Sequence, residues 1–195
     1  MGKYYEKDLP EGYKEALVID ANDKLRTRKA YIAALITVAV LFTVFFWVYV
    51  MPRLDEIHSA FSILKCVVFI IAYFVYVVLH ELTHGIVYKL LTKQKLTFGF
   101  KPPAAYCGVP GIYTYRITSM ASLLTPFTVY SILFIVLFFA VSDPFIKELI
   151  FVLFALHITG CIGDLYGLGL YLTRFKSPDV LRKDMGAKQI YYTKD

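Results

Sequence analysis

Four long runs of apolar residues, almost free of charge, limit what this chain can fold into more than any other feature of its sequence. Of the 195 residues, 58% are hydrophobic and 18% are charged, and the mean hydropathy is +0.58. A typical soluble domain is about half apolar and about a quarter charged. A helix needs roughly 20 apolar residues to cross the hydrocarbon core of a bilayer, and each run is longer than that. The sequence therefore predicts an integral membrane protein.

The predicted fold class is all-α, with four transmembrane helices. The predicted spans are residues 30–51, 61–91, 119–142 and 149–172. We expect an N-terminal segment at 1–29, a transmembrane domain at 30–172 and a C-terminal tail at 173–195. The first run follows a charged segment and is too long for a cleaved signal peptide.

Basic residues predict how these spans are oriented. Seven lysines and arginines precede residue 30, five lie between Lys89 and Arg116, and six follow Leu172. The other two connections hold three between them. The positive-inside rule then places both termini and the 92–118 loop in the cytoplasm of a multi-pass cell-membrane protein. This distribution explains the net charge of +6 without a nucleic-acid partner. It also favours contact with the anionic headgroups of the lipid bilayer.

The segments outside the spans are short and resemble strands. Residues 15–20 (EALVID) and 187–195 (AKQIYYTKD) each predict one strand, and the two are candidates to pair beneath the membrane. In the 92–118 loop, prolines and glycines separate the strand-like stretches LTFGF and GIYTYRIT. This pattern predicts a short β-hairpin or a reentrant loop, with an irregular connector as the alternative. The three cysteines are far apart and form no CxxC pair, so we expect them to be reduced.

Two histidines and a glutamate interrupt the second apolar run. His80, Glu81 and His84 match the pattern H-E-x-x-H. On a helix, residues four apart lie on one face, so both imidazoles can reach one zinc ion. The glutamate can take a proton from zinc-bound water. Ionisable groups within a span are costly unless they face partners or water, which favours a functional site over a polar cluster that joins helices.

A catalytic zinc site uses three protein ligands, and Asp164 is the candidate for the third. Counted from Lys89, His84 and His80 lie roughly 8 and 13 Å inside the membrane at 1.5 Å per residue. Counted from Arg174, Asp164 lies roughly 15 Å inside by the same rise. Asp164 is the only carboxylate in its span and has glycines nearby, which predict close approach of a neighbouring helix.

His157 is the alternative third ligand. It lies seven residues before Asp164, on the same helical face but about 10 Å deeper, so a regular helix cannot bring both to one ion, although the glycines of GCIGDLYGLG could break the helix. We interpret His157 as a residue that hydrogen-bonds a ligand or water, with an ordinary core histidine as the other interpretation. Pro126 in the third span predicts a kink of the kind that membrane helices tolerate.

The order of an HExxH span, a loop, a proline-containing span and a Gly-Asp span resembles a bacterial membrane family described as zincin peptidases. The opening LPEGYKEALVID is similar to that family too. More distantly, the chain resembles the site-2 protease superfamily of intramembrane metalloproteases. That resemblance implies His80 and His84 as zinc ligands, Glu81 as base and Asp164 as third ligand. Those proteases usually have a glycine after the aspartate, often preceded by Asn-Pro, whereas Leu165 follows Asp164 here.

The resulting hypothesis is a zinc metalloendopeptidase that hydrolyses peptide bonds of membrane-protein or peptide substrates. In it, the 112–118 stretch holds an unwound substrate segment by strand addition. The first alternative is a catalytically silent zinc-binding membrane protein that binds a partner. The second is bis-histidine haem or a metal-transport path through His80, His84 and His157, which leaves Glu81 and Asp164 without a role.

Overall fold

The computed structural model describes residues 4–20, 23, 63–101 and 104–194, together with parts of 32–51. Within these residues the elements with defined bounds are, in chain order, β1 (Tyr5–Glu6), β2 (Tyr13–Asp20), α1 (Ile63–Thr92), β3 (Thr97–Lys101), β4 (Ala104–Gly108), β5 (Tyr113–Tyr115), α2 (Arg116–Ala140), α3 (Pro144–Gly160), α4 (Ile162–Thr173), β6 (Leu181–Asp184) and β7 (Lys188–Lys194). Helices and strands therefore both contribute to the part of the chain that the structure describes.

The prediction of an all-α fold is wrong. The described residues form a mixed α/β structure, with seven strands in two antiparallel sheets. The strands are two to eight residues long and occur before, between and after the helices. Such short strands obtain their hydrogen bonds from segments far away in the sequence, so their local pattern is much weaker than that of an apolar helix.

The prediction of four spans is also wrong for the described residues. Two helical segments, Val67–Thr92 and Arg116–Ala140, are long and apolar enough to cross a membrane. The predicted span 149–172 is two helices, α3 and α4, which bend by 44° and meet the same criteria only as a pair. The predicted span 30–51, parts of which lie outside the described residues, contains a shorter apolar helix, Leu35–Val44. Two long apolar helices are compatible with a membrane protein.

The larger sheet has the strand order β1-β5-β6-β7-β2. The predicted pairing of the two terminal segments is confirmed, because Tyr13 of β2 lies opposite Lys194 of β7 and Asp20 lies opposite Lys188. β5 lies between β1 and β6, so it is not an edge strand. The hypothesis that the 112–118 stretch adds a substrate strand is therefore wrong, since both sides of β5 are already occupied.

The smaller sheet is a hairpin of β3 and β4, in which Thr97 lies opposite Gly108 and Lys101 opposite Ala104. A hairpin in the 92–118 loop is thus confirmed, but LTFGF pairs with residues 104–108 and not with GIYTYRIT. The hairpin folds back along α1, where a Cβ added to Gly85 would lie 2.9 Å from Cζ of Phe98. A side chain at position 85 would collide with the hairpin.

Two apolar clusters hold the helices around the centre of the molecule. The first joins α1, α2 and α3, and its buried members are Tyr76, Tyr130, Phe134, Ile150 and Leu153. The second joins α2 and α4 to the larger sheet, and its buried members are Leu123, Tyr171, Phe175, Val180 and Tyr191. Full burial of one side chain of this size away from water stabilises a fold by about 1.5–3 kcal/mol. The polar residues described next come from the same helices.

Candidate metal centre

A stripe of polar residues runs along one face of α1. Its members are spaced four residues apart and all are buried: Tyr76, His80, His84, Tyr88 and Thr92. Residues four apart on a helix lie on the same face, so the stripe is continuous over four helical steps. Large apolar residues on the rest of the helix are exposed, among them Ile71, Phe74, Val78 and Ile86. α1 therefore presents polar groups to the protein and apolar groups to its surroundings.

His80, His84 and Asp164 meet at the middle of this stripe. The Nε2 atoms of His80 and His84 each lie 3.4 Å from Oδ2 of Asp164. The two imidazole rings are 5.0 Å apart, centre to centre. Asp164 lies in the first turn of α4, directly after the bend between α3 and α4. The structure thus brings together the three residues that the sequence predicts as zinc ligands.

These three residues fit a zinc ion in their chemistry, and the separation of each histidine from Asp164 fits a zinc site. Two imidazole nitrogens and one carboxylate oxygen form a donor set typical of catalytic zinc, which keeps its fourth position open. Ligands about 2.0–2.1 Å from zinc at tetrahedral angles lie about 3.3–3.4 Å apart. The measured separations from Asp164 match that edge. His80, His84 and Asp164 are therefore the residues that would hold the metal.

Glu81 is the other acidic residue beside the histidines. Its carboxylate lies within 4.8 Å of donor atoms of His80 and His84. Glu81 also accepts a hydrogen bond from the backbone of Cys107 in β4. The hairpin therefore holds Glu81 from the side opposite the helix bundle. Burial, together with the nearby Asp184 and Glu81 carboxylates, raises the pKa of the Cys107 thiol to about 12, so this thiol is neutral.

Hydrogen bonds orient both histidines from their outer nitrogens. Nδ1 of His84 lies 2.9 Å from the backbone oxygen of Ser122 in α2. Because a carbonyl oxygen only accepts, Nδ1 of His84 carries a hydrogen, and in the neutral ring this leaves Nε2 with the lone pair that a metal would bind. Nδ1 of His80 lies 3.0 Å from the hydroxyl of Tyr76. Metal-binding histidines are commonly fixed by such contacts.

His157 lies behind Tyr76. Its Nδ1 is 2.7 Å from the Tyr76 hydroxyl, and its Nε2 is 3.1 Å from Oγ of Ser131 and 3.3 Å from the backbone oxygen of Phe127. If Nε2–H donates to Phe127, Nδ1 accepts from Tyr76, and Tyr76 accepts in turn from His80. This chain leaves Nε2 of His80 free to bind a metal. His157 thus contacts the site through Tyr76.

A second group of donor atoms lies on the α3 side of the same histidine. His80, His157 and Cys161 each offer one atom within 4.8 Å of the other two, and the Cys161 sulfur is 3.5 Å from Nδ1 of His157. Both nitrogens of His157 already have hydrogen-bond partners. The distance expected between two ligands of a tetrahedral zinc ion is found between Asp164 and each histidine. This favours Asp164 as the third ligand.

A buried charge cluster lies near the C-terminal end of α1, the end that the sequence predicts to face the cytoplasm. The Tyr88 hydroxyl donates to Oδ2 of Asp184 over 2.6 Å, and Nη2 of Arg182 lies 3.0 Å from the same oxygen. Burial alone would lower the pKa of Arg182, but the adjacent Asp184 carboxylate outweighs it and raises that pKa. This buried ion pair joins β6 to the polar stripe, and Nε of Arg182 is buried without a hydrogen-bond partner among the described residues.

The sequence reasoning missed Tyr76, Ser122 and Tyr88. A signal for the two tyrosines is present in the sequence, because each lies four residues from a histidine of the HExxH motif. No comparable signal identifies Ser122, since its backbone oxygen makes the contact. Asp184 and Arg182 join the network only through the strand pairing of β6.

The site and the fold around it agree with the family comparison. A family model described as "Putative zincin peptidase" matches residues 73–178, which include His80, Glu81, His84 and Asp164. The match covers more than half of the chain, and the chain belongs to this family. Membership of this family indicates that the protein is a zinc metallopeptidase. Among curated proteins and solved structures, no match was found.

Proposed function

We propose that this protein is a zinc metalloendopeptidase of the membrane, which hydrolyses peptide bonds of membrane-associated substrates. The observation that carries the proposal is the meeting of His80 and His84 with Asp164 at 3.4 Å, with Glu81 beside them. A polar cluster that only joins helices needs no such spacing. A silent zinc protein, in turn, has no use for a carboxylate next to the first histidine ligand.

The residues of the chain divide the chemistry between them. Zinc, when bound, polarises the scissile carbonyl and makes a water molecule a stronger nucleophile. Glu81 takes the proton from that water and returns it to the leaving amine. The hydrogen bond from Cys107 holds the Glu81 carboxylate in place. Ser122 and Tyr76 hold His84 and His80 with their Nε2 atoms turned inward.

The position of the site on α1 supports a substrate at the membrane. His84 lies eight residues before the end of α1 at Thr92, which is about 12 Å at 1.5 Å per residue. The site is therefore well inside a helix long and apolar enough to span a bilayer. A substrate helix hides its backbone in its own hydrogen bonds, so it must unwind before cleavage. We propose that both termini and the larger sheet lie in the cytoplasm.

The test begins with the full chain purified in detergent or nanodiscs. Zinc per chain is measured first, followed by cleavage of a panel of labelled transmembrane peptides with and without a chelator. We expect one zinc per chain and chelator-sensitive cleavage. The Glu81→Gln variant should keep its zinc and lose about 10²- to 10⁴-fold in cleavage rate, the usual range for loss of general acid–base catalysis.

Glu148→Gln is the matched control, because it makes the same chemical change on α3 outside the polar stripe. Its cleavage rate should equal that of the unmodified protein. Two results together would favour the silent zinc-binding alternative. The protein would bind zinc without cleaving any peptide, and Glu81→Gln would capture a binding partner as well as the unmodified protein does. Absence of zinc from the unmodified protein would end the proposal.

A further inference from the structure

Pro126 lies inside α2, yet the helix continues without interruption from Arg116 to Ala140. In a regular helix the N–H of residue 126 would donate to the backbone oxygen of residue 122. Proline has no N–H, and its ring presses against the carbonyl four residues earlier. The Ser122 carbonyl therefore loses its partner in the helix and is pushed away from the helix axis.

The released carbonyl is the one that holds His84. Ser122 and His84 are both buried, at 1% and 7% exposure, and Nδ1 of His84 lies 2.9 Å from the Ser122 backbone oxygen. Oγ of Ser122 is more distant from Nδ1, at 3.5 Å. A buried carbonyl and a buried N–H each cost free energy when left without a partner. Here each one satisfies the other across two helices.

This contact decides which nitrogen of His84 faces the metal centre. The hydrogen on Nδ1 leaves the lone pair on Nε2, the atom that lies 3.4 Å from Asp164. We infer that Pro126 is a positioning residue of the metal centre, because its missing N–H frees the Ser122 carbonyl to fix His84 for metal binding. The inference rests on the zinc site of the proposed function, although not on peptidase activity.

A merely structural proline would behave differently from a positioning one. Proline is the least favourable residue in a helix interior, so Pro126→Ala should leave α2 at least as stable as before. The same change restores an N–H that competes with His84 for the Ser122 oxygen. The expected signature is therefore a weaker metal site in a protein that is no less stable.

The experiment measures zinc affinity and thermal unfolding of the full chain in detergent. For Pro126→Ala we expect a zinc dissociation constant raised by about 10- to 100-fold, as for other residues that orient metal ligands, with no decrease in Tm of the zinc-free protein. Pro144→Ala is the matched control, because Pro144 occupies the start of α3, where a missing N–H interrupts no helical bond. Its zinc affinity should not change.

A second variant separates the missing N–H from the proline ring. Replacing Pro126 by lactic acid, the hydroxy-acid analogue of alanine, puts an ester at this position, which has neither the ring nor the N–H. We expect it to bind zinc more tightly than Pro126→Ala, close to the unmodified protein. If the ester variant loses as much affinity as Pro126→Ala, or if Pro126→Ala retains full affinity or loses stability, the inference is overturned.

A measurement on the zinc-free protein keeps this inference distinct from the proposed function. The chain has four histidines, so ¹⁵N-histidine NMR can report the tautomer of His84, assigned by loss of its signals in His84→Ala. We expect Nδ1 of His84 to carry a hydrogen in the unmodified protein and in Pro144→Ala, whether or not Nε2 is also protonated beside Asp164, and to lose it in a fraction of the molecules in Pro126→Ala. Unchanged tautomer signals in Pro126→Ala would contradict the role of Pro126 even if the protein cleaves peptides. Failure to bind zinc with the expected tautomers would contradict the proposed function alone.

Discussion

α2 and the pair α3–α4 respond to helix-breaking residues in opposite ways. α2 contains a proline in its interior and remains one helix of 25 residues. The pair contains no interior proline, yet it divides at Cys161 with a bend of 44°. Glycines at 160 and 163 flank the division, and glycine is about 1 kcal/mol less favourable than alanine in a helix interior. The sequence predicts a kink at Pro126 and allows a break at the glycines around Asp164, and the 44° bend lies at those glycines.

The difference shows two ways in which an apolar helix of this fold brings a polar group to the candidate metal centre. In α2 the helix stays intact and one backbone oxygen is turned toward His84. In the pair, the chain bends between His157, which contacts Tyr76, and Asp164, which contacts His80 and His84. Helices in this bundle therefore supply either a backbone acceptor or a side-chain ligand, and each needs a different local distortion.

The largest predicted effect is the loss of zinc, and it distinguishes Asp164 on the α4 side of the bend from His157 on the α3 side. Asp164→Ala removes one of three ligands, and we expect it to abolish stoichiometric zinc binding. His157→Ala removes a group that acts through Tyr76, and we expect it to retain zinc at 10- to 100-fold lower affinity. Metal content after dialysis, together with competition against a zinc chelator, distinguishes the two. Zinc retained by Asp164→Ala but lost by His157→Ala would mean that α3 supplies the ligand.

A smaller effect is expected at Tyr76, which joins His157 to His80. Tyr76→Phe removes a hydroxyl that lies 2.7 Å from one histidine and 3.0 Å from the other. We expect zinc affinity to fall by about tenfold, since the aromatic ring and its packing remain. Tyr73→Phe is the control, as it makes the same change on α1 but off the polar stripe. Equal zinc affinities for the two variants would show that the Tyr76 hydroxyl does not orient His80.

Cys161 offers a further check on the same chain of contacts. If His80, His157 and Cys161 held the metal, Cys161→Ala would release it. In the site proposed here, the variant keeps its zinc, and the cobalt-substituted form of the unmodified protein shows no sulfur-to-metal charge-transfer band in the near-ultraviolet.

The fold was only partly predictable from the sequence, and the reason lies in how each element is stabilised. α1 and α2 are long, apolar and locally determined, so their composition reveals them. The pairing of β2 with β7 was predicted from two short segments, but β1, β5 and β6 were not recognised as strands of one sheet. Their partners are distant in sequence, with β1 paired to β5 and β5 to β6. Local patterns do not contain that information.

The metal centre was more predictable than the fold around it. The HExxH spacing and the depth of Asp164 within its predicted span identify three residues, and the structure places Nε2 of each histidine 3.4 Å from Oδ2 of Asp164. The glycines near Asp164 were interpreted as points of close helix approach. At Gly160 and Gly163, an added Cβ would meet no described atom within 4 Å, whereas at Gly167 it would meet Leu123 of α2. Close approach therefore occurs on the α2 side and not beside the histidines of α1.

The smallest predicted effect tests that contact between α2 and α4. A Cβ at position 167 would lie 3.0 Å from Cδ1 of Leu123, a buried side chain that must shift to make room. Overpacking costs about 1–3 kcal/mol, which offsets the gain of about 1 kcal/mol from replacing glycine in a helix. Gly163→Ala should receive that gain without the cost. We therefore expect Gly167→Ala to be less stable than Gly163→Ala by about 1–3 kcal/mol, measured by denaturant unfolding in detergent. Equal stability of the two variants would show that α2 and α4 are not in close contact at Gly167, and would weaken the assignment of Asp164 to a fixed position beside the histidines.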